Sequence, residues 1–460
     1  MYISTGIKVF NRNVLVLCNV YLSVSNLDRD KAIIKDPTLT FSEKILSIRN
    51  LANVSQKKEK VYAGDFVIST VDFTYAHDVQ GPLVIKIFKE LNGKRLFDSK
   101  RVLINIDHDY PPSSERSAEL HNLMRDFARE QQCMIQEGSN CHQYILENIV
   151  TPGMLVVGAD SHTTTLGSLG AFATGMGSSD VASIFLSGKT WLKVPKTIRI
   201  HVGGTLHKRS KAKDVALHAL KLLGTDGANY CTVEWVGEAV SAMSIDSRTT
   251  LTNLALEMGA KNSVTFADAK TDAYLTARKR EKGVHITSGI ESEVFRDIHI
   301  QAEDVVPMVA QPGSPGNSVP IADLADNVHI NVVLVGTCTN GRIEDLREVA
   351  AVLKGKKIKQ GVRMIITPNS VEVFKKAEKE GIISVLYDSG AIVTSPGCGA
   401  CAGISKGLLG KGEVAVFAGP RNFPGRLGSL DSQVYLCSPE TAAASALSGY
   451  IVQYSGDGAR

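Results

Sequence analysis

The sequence has no long apolar run, few cysteines and almost no excess of charge. Its longest apolar candidate, Val14–Val24, is short and is broken by Cys18, Asn19 and Ser23, so no membrane span is expected. Eight cysteines in 460 residues are too few for a disulfide scaffold. The chain has 51 Lys and Arg against 47 Asp and Glu, a net charge of +4. So slight an excess predicts no nucleic-acid surface.

The first 40 residues differ from the rest. Residues 1–27 contain Lys8 and Arg12 but no acid, which is compatible with a targeting peptide. No clear small-residue cleavage site follows, so an atypical N-terminal extension over residues 1–40 is the preferred interpretation. The lack of a convincing export signal predicts a cytoplasmic protein.

From about Phe41 the chain alternates between short apolar runs and amphipathic helical segments. Four such runs are Met154–Gly158, Ile330–Val335, Met364–Thr367 and Val414–Ala418, and each leads into a polar loop. This alternation predicts parallel α/β sheets, in which ligands bind at the carboxyl ends of the strands. The length predicts several domains, which we place at residues 41–195, 196–318 and 319–460.

The middle region is less regular and carries one clear predicted helix, Leu251–Gly259. Asn253 and Glu257 lie four residues apart on it, so both should project from one face. On this spacing alone, an ordinary polar helix face is the preferred interpretation. The stretch Gln311–Pro320 is rich in Pro, Gly and Ser and is predicted to be a linker into the last domain.

Three cysteines lie in polar loops. Cys398 and Cys401 form a Cys-x-x-Cys pair between glycines, and Cys338 follows another apolar run. Such a pair alone suits half a zinc site or a redox centre, but no fourth zinc ligand is suitably spaced. Three thiolates also suit a cubic iron–sulfur cluster with one open iron. The other cysteines are predicted to be buried structural thiols: Cys18, Cys133, Cys141, Cys231 and Cys437.

Histidines and arginines accompany these loops. Asp107-His108 and Asp160-Ser161-His162 are two Asp/His loops, and His142 lies between them. A neighbouring carboxylate can hold an imidazole in one tautomer for proton transfer, although a single histidine is more often a packing residue. Arg421 and Arg426 flank a Gly/Pro loop, where guanidinium groups could bind carboxylates or form surface ion pairs.

Five long motifs occur in one order along the chain. They are GADSHTTTLGSLGAFATGMGSSD (158–180), GTCTNGRIEDL (336–346), PGCGAC (396–401), RNFPGRLG (421–428) and SPETAAASALSG (438–449). On these motifs the sequence resembles the aconitase superfamily from about Leu39 to Ile451, and within it the 3-isopropylmalate dehydratase large subunits. It departs from the family pattern at Pro420, where asparagine is usual, and in the loop around Cys398.

The resemblance implies three α/β domains of the aconitase type around a central [4Fe-4S] cluster. One cluster per subunit would be held by Cys338, Cys398 and Cys401, with one iron lacking a protein ligand. Catalytic handling of water and hydroxyl protons is implied for Asp107, His108, His142, Asp160, His162 and Glu257. Binding of substrate or ordered water is implied for Ser161, Asn253, Arg421, Arg426, His77 and Asp78.

The implied activity is a hydro-lyase that isomerises a small hydroxy di- or tricarboxylate, foremost 2-isopropylmalate to 3-isopropylmalate in leucine biosynthesis. Homoaconitase or another alkyl-malate dehydratase is the nearest alternative. The chain stops at Arg460 without the family's fourth (swivel) domain, so a separate small subunit is expected to supply it. Neither nucleic acid nor membrane is an expected partner. Two alternatives of other classes are a cluster-dependent RNA-binding regulator and a structural zinc protein.

Overall fold

A computed structural model describes residues 27–51, 59–324 and 328–456. The candidate span Val14–Val24 and Cys18 lie outside the described residues. Within them, no helix combines the length and the apolar character needed to cross a membrane.

The first sheet has five parallel strands, and its three inner strands are buried along their whole length. In spatial order they are Met134–Glu137, Val102–Ile106, Phe73–His77, Leu155–Gly158 and Phe172–Gly175. Both faces of the sheet are covered: Val102 and Ile104 pack into one apolar cluster, and Leu103 packs into another. Burial on both faces is why the inner strands lack polar alternation. The helices of this region are Phe41–Arg49, Gly81–Glu90, Glu115–Gln131, Cys141–Asn148 and Ser178–Ser187, and the strands Phe66–Thr70 and Lys189–Lys193 pair separately.

The second sheet has four parallel strands. Their spatial order is Asn262–Thr265, Cys231–Val236, Lys196–Gly203 and Arg296–Gln301. The last is an edge strand and is largely exposed. The helices of this region are Ala212–Leu223, Glu238–Ala242, Ile245–Leu254 and Ala269–Ala277.

The third sheet has seven strands. Their spatial order is Ser318–Pro320, Met308–Ala310, Gln433–Leu436, Val414–Phe417, Val332–Val335, Arg363–Ile366 and Ile392–Val393. The last five run parallel, and Met308–Ala310 pairs antiparallel with both of its neighbours. The stretch Gln311–Pro320, predicted as a linker, therefore connects two strands of this sheet. The helices of this region are Ile343–Leu353, Val371–Lys379, Ile382–Ser389 and Pro439–Ser448.

Two local predictions need correction. The helix predicted at Leu251–Gly259 begins at Ile245, where the Ser244 hydroxyl caps it, and its α-helical part ends at Leu254. A 3-10 turn, Ala255–Met258, continues the chain. The prediction began too late because the buried Thr249, Thr250 and Thr252 break the apolar period expected of a helix. Of the predicted buried thiols, Cys133 is only half-buried, whereas Cys141, Cys231 and Cys437 are buried.

A buried carboxyl group joins the first and third regions. Glu147, on the helix Cys141–Asn148, accepts hydrogen bonds from Gln143 Nε2 at 2.9 Å and from Ser370 Oγ at 2.7 Å. Burial raises the pKa of Glu147 to about 7. Between pH 4.5 and about 7, the carboxyl group therefore keeps a proton in the native state that it has lost in the unfolded state. The free energy of unfolding falls as the pH rises through this range.

We expect Glu147→Gln to raise the free energy of unfolding at pH 8 by about 1–3 kcal/mol, since the shift is worth at most about 3 kcal/mol. The amide oxygen can still accept both hydrogen bonds. At pH 5 the two proteins should unfold alike in denaturant. Glu137→Gln is the control and should lower the free energy of unfolding, because the Arg125 ion pair lowers the pKa of Glu137. An equal gain at both pH values would contradict the prediction.

Candidate active site

The polar loops of the first and third sheets converge on one cavity of about 340 Å³. Most of the predicted site residues line it: His77, His108, His142, Asp160, Ser161, His162, Cys338, Cys398, Cys401, Arg421 and Arg426. The remaining four, Asp78, Asp107, Asn253 and Glu257, lie behind this lining and contact it. The structure thus brings together every site residue named from the sequence.

Glycines let the two cysteine loops approach each other. Gly399, between the paired cysteines, has a φ of +65°, and a Cβ there would lie 2.1 Å from the Gly336 carbonyl oxygen. No side chain fits that gap, and L-residues rarely adopt this backbone conformation. Gly336 lies two residues before Cys338, so this contact packs the two thiol-bearing loops against each other.

The three thiols predicted as metal ligands are buried at the cavity. Cys338, Cys398 and Cys401 are each less than 5% exposed. Among the described residues, they are not one of the three-residue groups whose ligand atoms all lie within 4.8 Å of one another. A single tetrahedral zinc ion with bonds of about 2.3 Å would hold its sulfur ligands roughly 3.8 Å apart. At least one pair of these sulfur atoms is farther apart than that, whereas a hydrogen bond joins Cys398 and Cys401. Three thiols also suit an iron–sulfur cluster, whose ligands are cysteine thiolates.

Polar side chains surround the sulfur atoms. Asn253 Nδ2 donates a hydrogen bond to Cys338 Sγ at 3.3 Å. Thr339 Oγ1 donates one to the Asn253 side-chain oxygen at 2.7 Å. Arg426 Nη2 lies 3.8 Å from Cys401 Sγ. A hydrogen bond from Cys398 and the charge of Arg426 lower the pKa of the Cys401 thiol well below its usual range. A thiolate, the form that binds metal, is therefore favoured at Cys401.

Asp160 is shared by several histidines. Its Oδ1 lies 3.1 Å from His142 Nε2 and accepts the His162 backbone N–H at 2.6 Å. Its Oδ2 lies 3.1 Å from His77 Nε2 and 3.9 Å from His108 Nε2. Burial opposes ionisation, yet His142 and His77 hold the pKa of the Asp160 carboxyl well below its usual range. One carboxylate thus orients the imidazoles on this side of the cavity.

A second carboxylate pair fixes His108. Its Nδ1 lies 3.0 Å from Asp107 Oδ1 and 3.2 Å from Asp78 Oδ1, and its ring stacks on His77 at 4.1 Å. Asp78 also accepts the backbone N–H groups of His108 and Asp109. Although burial works against the imidazolium, Asp107 and Asp78 raise the pKa of His108 well above its usual range. His108 is therefore held charged and in one orientation.

The 3-10 turn Ala255–Met258 brings Glu257 to the opposite wall. Its Oε1 lies 2.9 Å from His162 Nε2 and accepts Arg421 Nε–H at 2.8 Å. Arg421 Nη2 also reaches Ser161 Oγ at 3.3 Å. Burial opposes the charge of Glu257, but His162 and Arg421 lower its carboxyl pKa. The arginine is thus fixed through one edge of its guanidinium group at the cavity wall.

Sequence reasoning did not single out several residues that support this site. Tyr75 Oη lies 2.9 Å from His142 Nδ1 and 2.8 Å from Thr163 Oγ1. Its position two residues before His77, on the same face of one strand, is the signal that could have found it. Arg342 is buried and donates to the carbonyl oxygens of Cys338 and Thr339, which fixes the Cys338 loop.

The chain is similar to known proteins along most of its length. The family model "Aconitase family (aconitate hydratase)" matches residues 43–449. A 3-isopropylmalate dehydratase large subunit of Methanopyrus kandleri is 41% identical, covering 90% of this chain and 98% of that protein. One of Elusimicrobium minutum is 42% identical, covering 90% and 97%. A methanogen homoaconitase large subunit of Methanocaldococcus jannaschii is 40% identical, covering 90% and 99%.

Proposed function

The chain belongs to the aconitase family and is a hydro-lyase of that family, and from this premise we propose its substrate and its partner. It is the large subunit of an enzyme that isomerises a hydroxy acid by dehydration and rehydration, converting 2-isopropylmalate to 3-isopropylmalate. The observation that carries this proposal is the single cavity shared by three thiols, two arginines and a set of carboxylate-bound histidines.

The residues present fit a [4Fe-4S] cluster. Cys338, Cys398 and Cys401 would hold it, one cluster per chain, and Asn253 would orient the sulfur of Cys338. When bound, such a cluster supplies an iron without a protein ligand, a Lewis acid that weakens the bond between carbon and the departing hydroxyl.

The arginines of the cavity would bind the substrate carboxylates. Arg421 is held by Glu257 and Ser161, so its guanidinium group is oriented before substrate arrives. Arg426 Nε is buried and has no hydrogen-bond partner among the described residues. A buried donor without a partner is costly, and a carboxylate oxygen would satisfy it. Two arginines at one wall therefore suit a dicarboxylate.

The histidines would move protons. His142 and His77 share Asp160, and His108 is held between Asp107 and Asp78. Fixed imidazoles beside carboxylates can give a proton to a departing hydroxyl and take one from an attacking water. We propose that the base acting on the neighbouring carbon comes from a small subunit, because the similar proteins are named large subunits, which implies such a partner.

The function is tested with the anaerobically reconstituted chain, purified together with its small subunit. We expect the complex to dehydrate both 2-isopropylmalate and 3-isopropylmalate to an unsaturated acid. The ultraviolet absorbance of this acid measures either reaction. Homocitrate is the decisive competitor, since a homoaconitase large subunit is about as similar to this chain. Turnover of homocitrate alone would replace the substrate assignment, and turnover of no hydroxy acid by the cluster-loaded complex would overturn the proposed function.

Arg421→Lys should lower kcat/KM about 10- to 10²-fold, since a lost hydrogen bond to a charged group costs roughly 1.5–3 kcal/mol. Lysine keeps the charge but cannot bind Glu257 and a carboxylate with one planar group. Arg347→Lys is the matched control, because Arg347 makes a two-pronged contact with Glu380 on the surface. Similar kinetics for the two variants would contradict the role of Arg421.

A further inference from the structure

Two histidines and an aspartate form a cluster on the second sheet, outside the cavity. The strands Lys196–Gly203 and Arg296–Gln301 run parallel, with His201 directly opposite His299. Asp297 lies two residues before His299, so it projects from the same face. His201 Nε2 lies 3.2 Å from Asp297 Oδ1, and His299 Nε2 lies 3.8 Å from Asp297 Oδ2. The two rings stack at 4.6 Å with an angle of 7°.

The surrounding charges leave these donors available. Arg199 is the cation directly opposite Asp297 in the strand register. Its Nε and Nη2 both donate to Glu234 Oε2 at 3.0 Å, and Nη2 also reaches Ser292. Because Glu234 neutralises this arginine, Asp297 faces the two imidazoles rather than a guanidinium group. The side chains of His299 and Asp297 are 66% and 45% exposed, so an ion can reach them from solvent.

We propose that His201, Asp297 and His299 form a binding site for one borderline divalent cation, with Zn²⁺ as its physiological occupant. Their ligand atoms all lie within 4.8 Å of one another. Zinc bonds of about 2.0–2.2 Å to nitrogen and oxygen place donors roughly 3.3 Å apart, so small rotations of exposed side chains complete the geometry. Imidazole with carboxylate selects zinc over magnesium or calcium. The fourth position is left to water.

The consequence of this site is local stabilisation. Arg296–Gln301 is the edge strand of its sheet, and an ion held by residues of both strands fastens it to its neighbour. An ion that binds only the folded chain stabilises it by RT ln(1 + [L]/Kd), so the melting temperature rises with the zinc concentration. The site requires neither the cluster nor the substrate. The zinc proposal can therefore fail or succeed independently of the proposed function.

The test uses the full chain without an affinity tag, with its cluster assembled, and Zn²⁺ alone as the probe. Equilibrium dialysis with metal analysis and titration calorimetry should show one zinc per chain in the wild type beyond any that the cavity binds. His299→Gln and His201→Gln should lose this zinc or bind it at least about tenfold more weakly. Zinc should raise Tm in the wild type but not in these variants. Asp297→Asn, nearly identical in shape, should also weaken binding.

The matched control is His285→Gln. His285 also lies at the surface beside a carboxylate, with Nε2 2.9 Å from Asp272 Oδ1, but it lacks a second histidine. It should bind zinc as the wild type does. Cavity residues that could take zinc are unchanged in all of these proteins and contribute equally. Unaltered zinc affinity in the folded His201, Asp297 and His299 variants, or an equal loss in His285→Gln, would overturn the proposal.

Discussion

Cys338→Ser is expected to leave the chain folded but unable to hold an iron–sulfur cluster. After anaerobic reconstitution, iron and acid-labile sulfide should fall from roughly four each per chain to near zero. The reason is that three thiols line the cavity as the proposed ligands, and two of them would not be enough to retain a cubic cluster. Serine occupies nearly the same volume, so circular dichroism and thermal unfolding should show a native fold.

Cys141→Ser is the sharpest control for this experiment. Cys141 is fully buried, and its backbone N–H donates to Asp107 at 2.9 Å, so it lies close to the same carboxylates. Its side chain does not line the cavity in the described structure. Cluster content should therefore survive this change. Full iron and sulfide in Cys338→Ser, or their loss in Cys141→Ser alone, would show that the ligands are assigned wrongly.

Metal analysis of the same samples shows whether the protein binds an iron–sulfur cluster or zinc. A protein that returns stoichiometric zinc and little sulfide after reconstitution would contradict the cluster, and Cys338→Ser would then lose zinc instead of iron. Membership of the aconitase family, from which a [4Fe-4S] cluster is expected, argues for the cluster rather than for zinc.

The strand-end loops were predictable from the sequence for a physical reason. A parallel strand is buried on both faces, so its end is marked by an abrupt change from apolar residues to a polar loop. Cys338 follows the strand Val332–Val335, and Asp107 follows the strand Val102–Ile106. Parallel strands direct such loops to one edge, which is why the convergence of these residues could be expected. The family likeness, which the comparisons confirm, added the ligand set.

Other parts of the site depend on contacts between distant residues. Glu257 sits on a helix pattern that, taken alone, favours an ordinary polar face, and only the fold places it against His162 and Arg421, 95 and 164 residues away in the sequence. Tyr75 is one apolar strand residue among several, and its hydroxyl contact with His142 spans 67 residues. No local pattern encodes such partners. The histidine cluster on the second sheet also depends on distant residues. His201 and His299 meet only because their strands pair in this register.

Asp160→Asn should produce the second large effect, a fall in kcat of about 10²- to 10⁴-fold, the range that a positioned acid or base contributes. Asp160 is the one carboxylate within hydrogen-bonding distance of both His142 and His77 in the described structure. An asparagine has one carbonyl oxygen and one NH2 group. The oxygen can accept a hydrogen bond from one imidazole, but the NH2 group then points at an N–H of the other. At least one ring must then change tautomer or turn away.

Steady-state kinetics with the small subunit, at matched cluster content, measure this effect. KM should change less than kcat, because Arg421 and Arg426, not Asp160, are the proposed carboxylate ligands. Asp180→Asn is the control: Asp180 lies in the first turn of the helix Ser178–Ser187 and lines the neighbouring cavity. Its variant should retain kcat within about threefold. If Asp160→Asn kept its cluster and turned over like Asp180→Asn, the histidines would not need this carboxylate, and proton transfer would have to be assigned to His108 with Asp107 and Asp78.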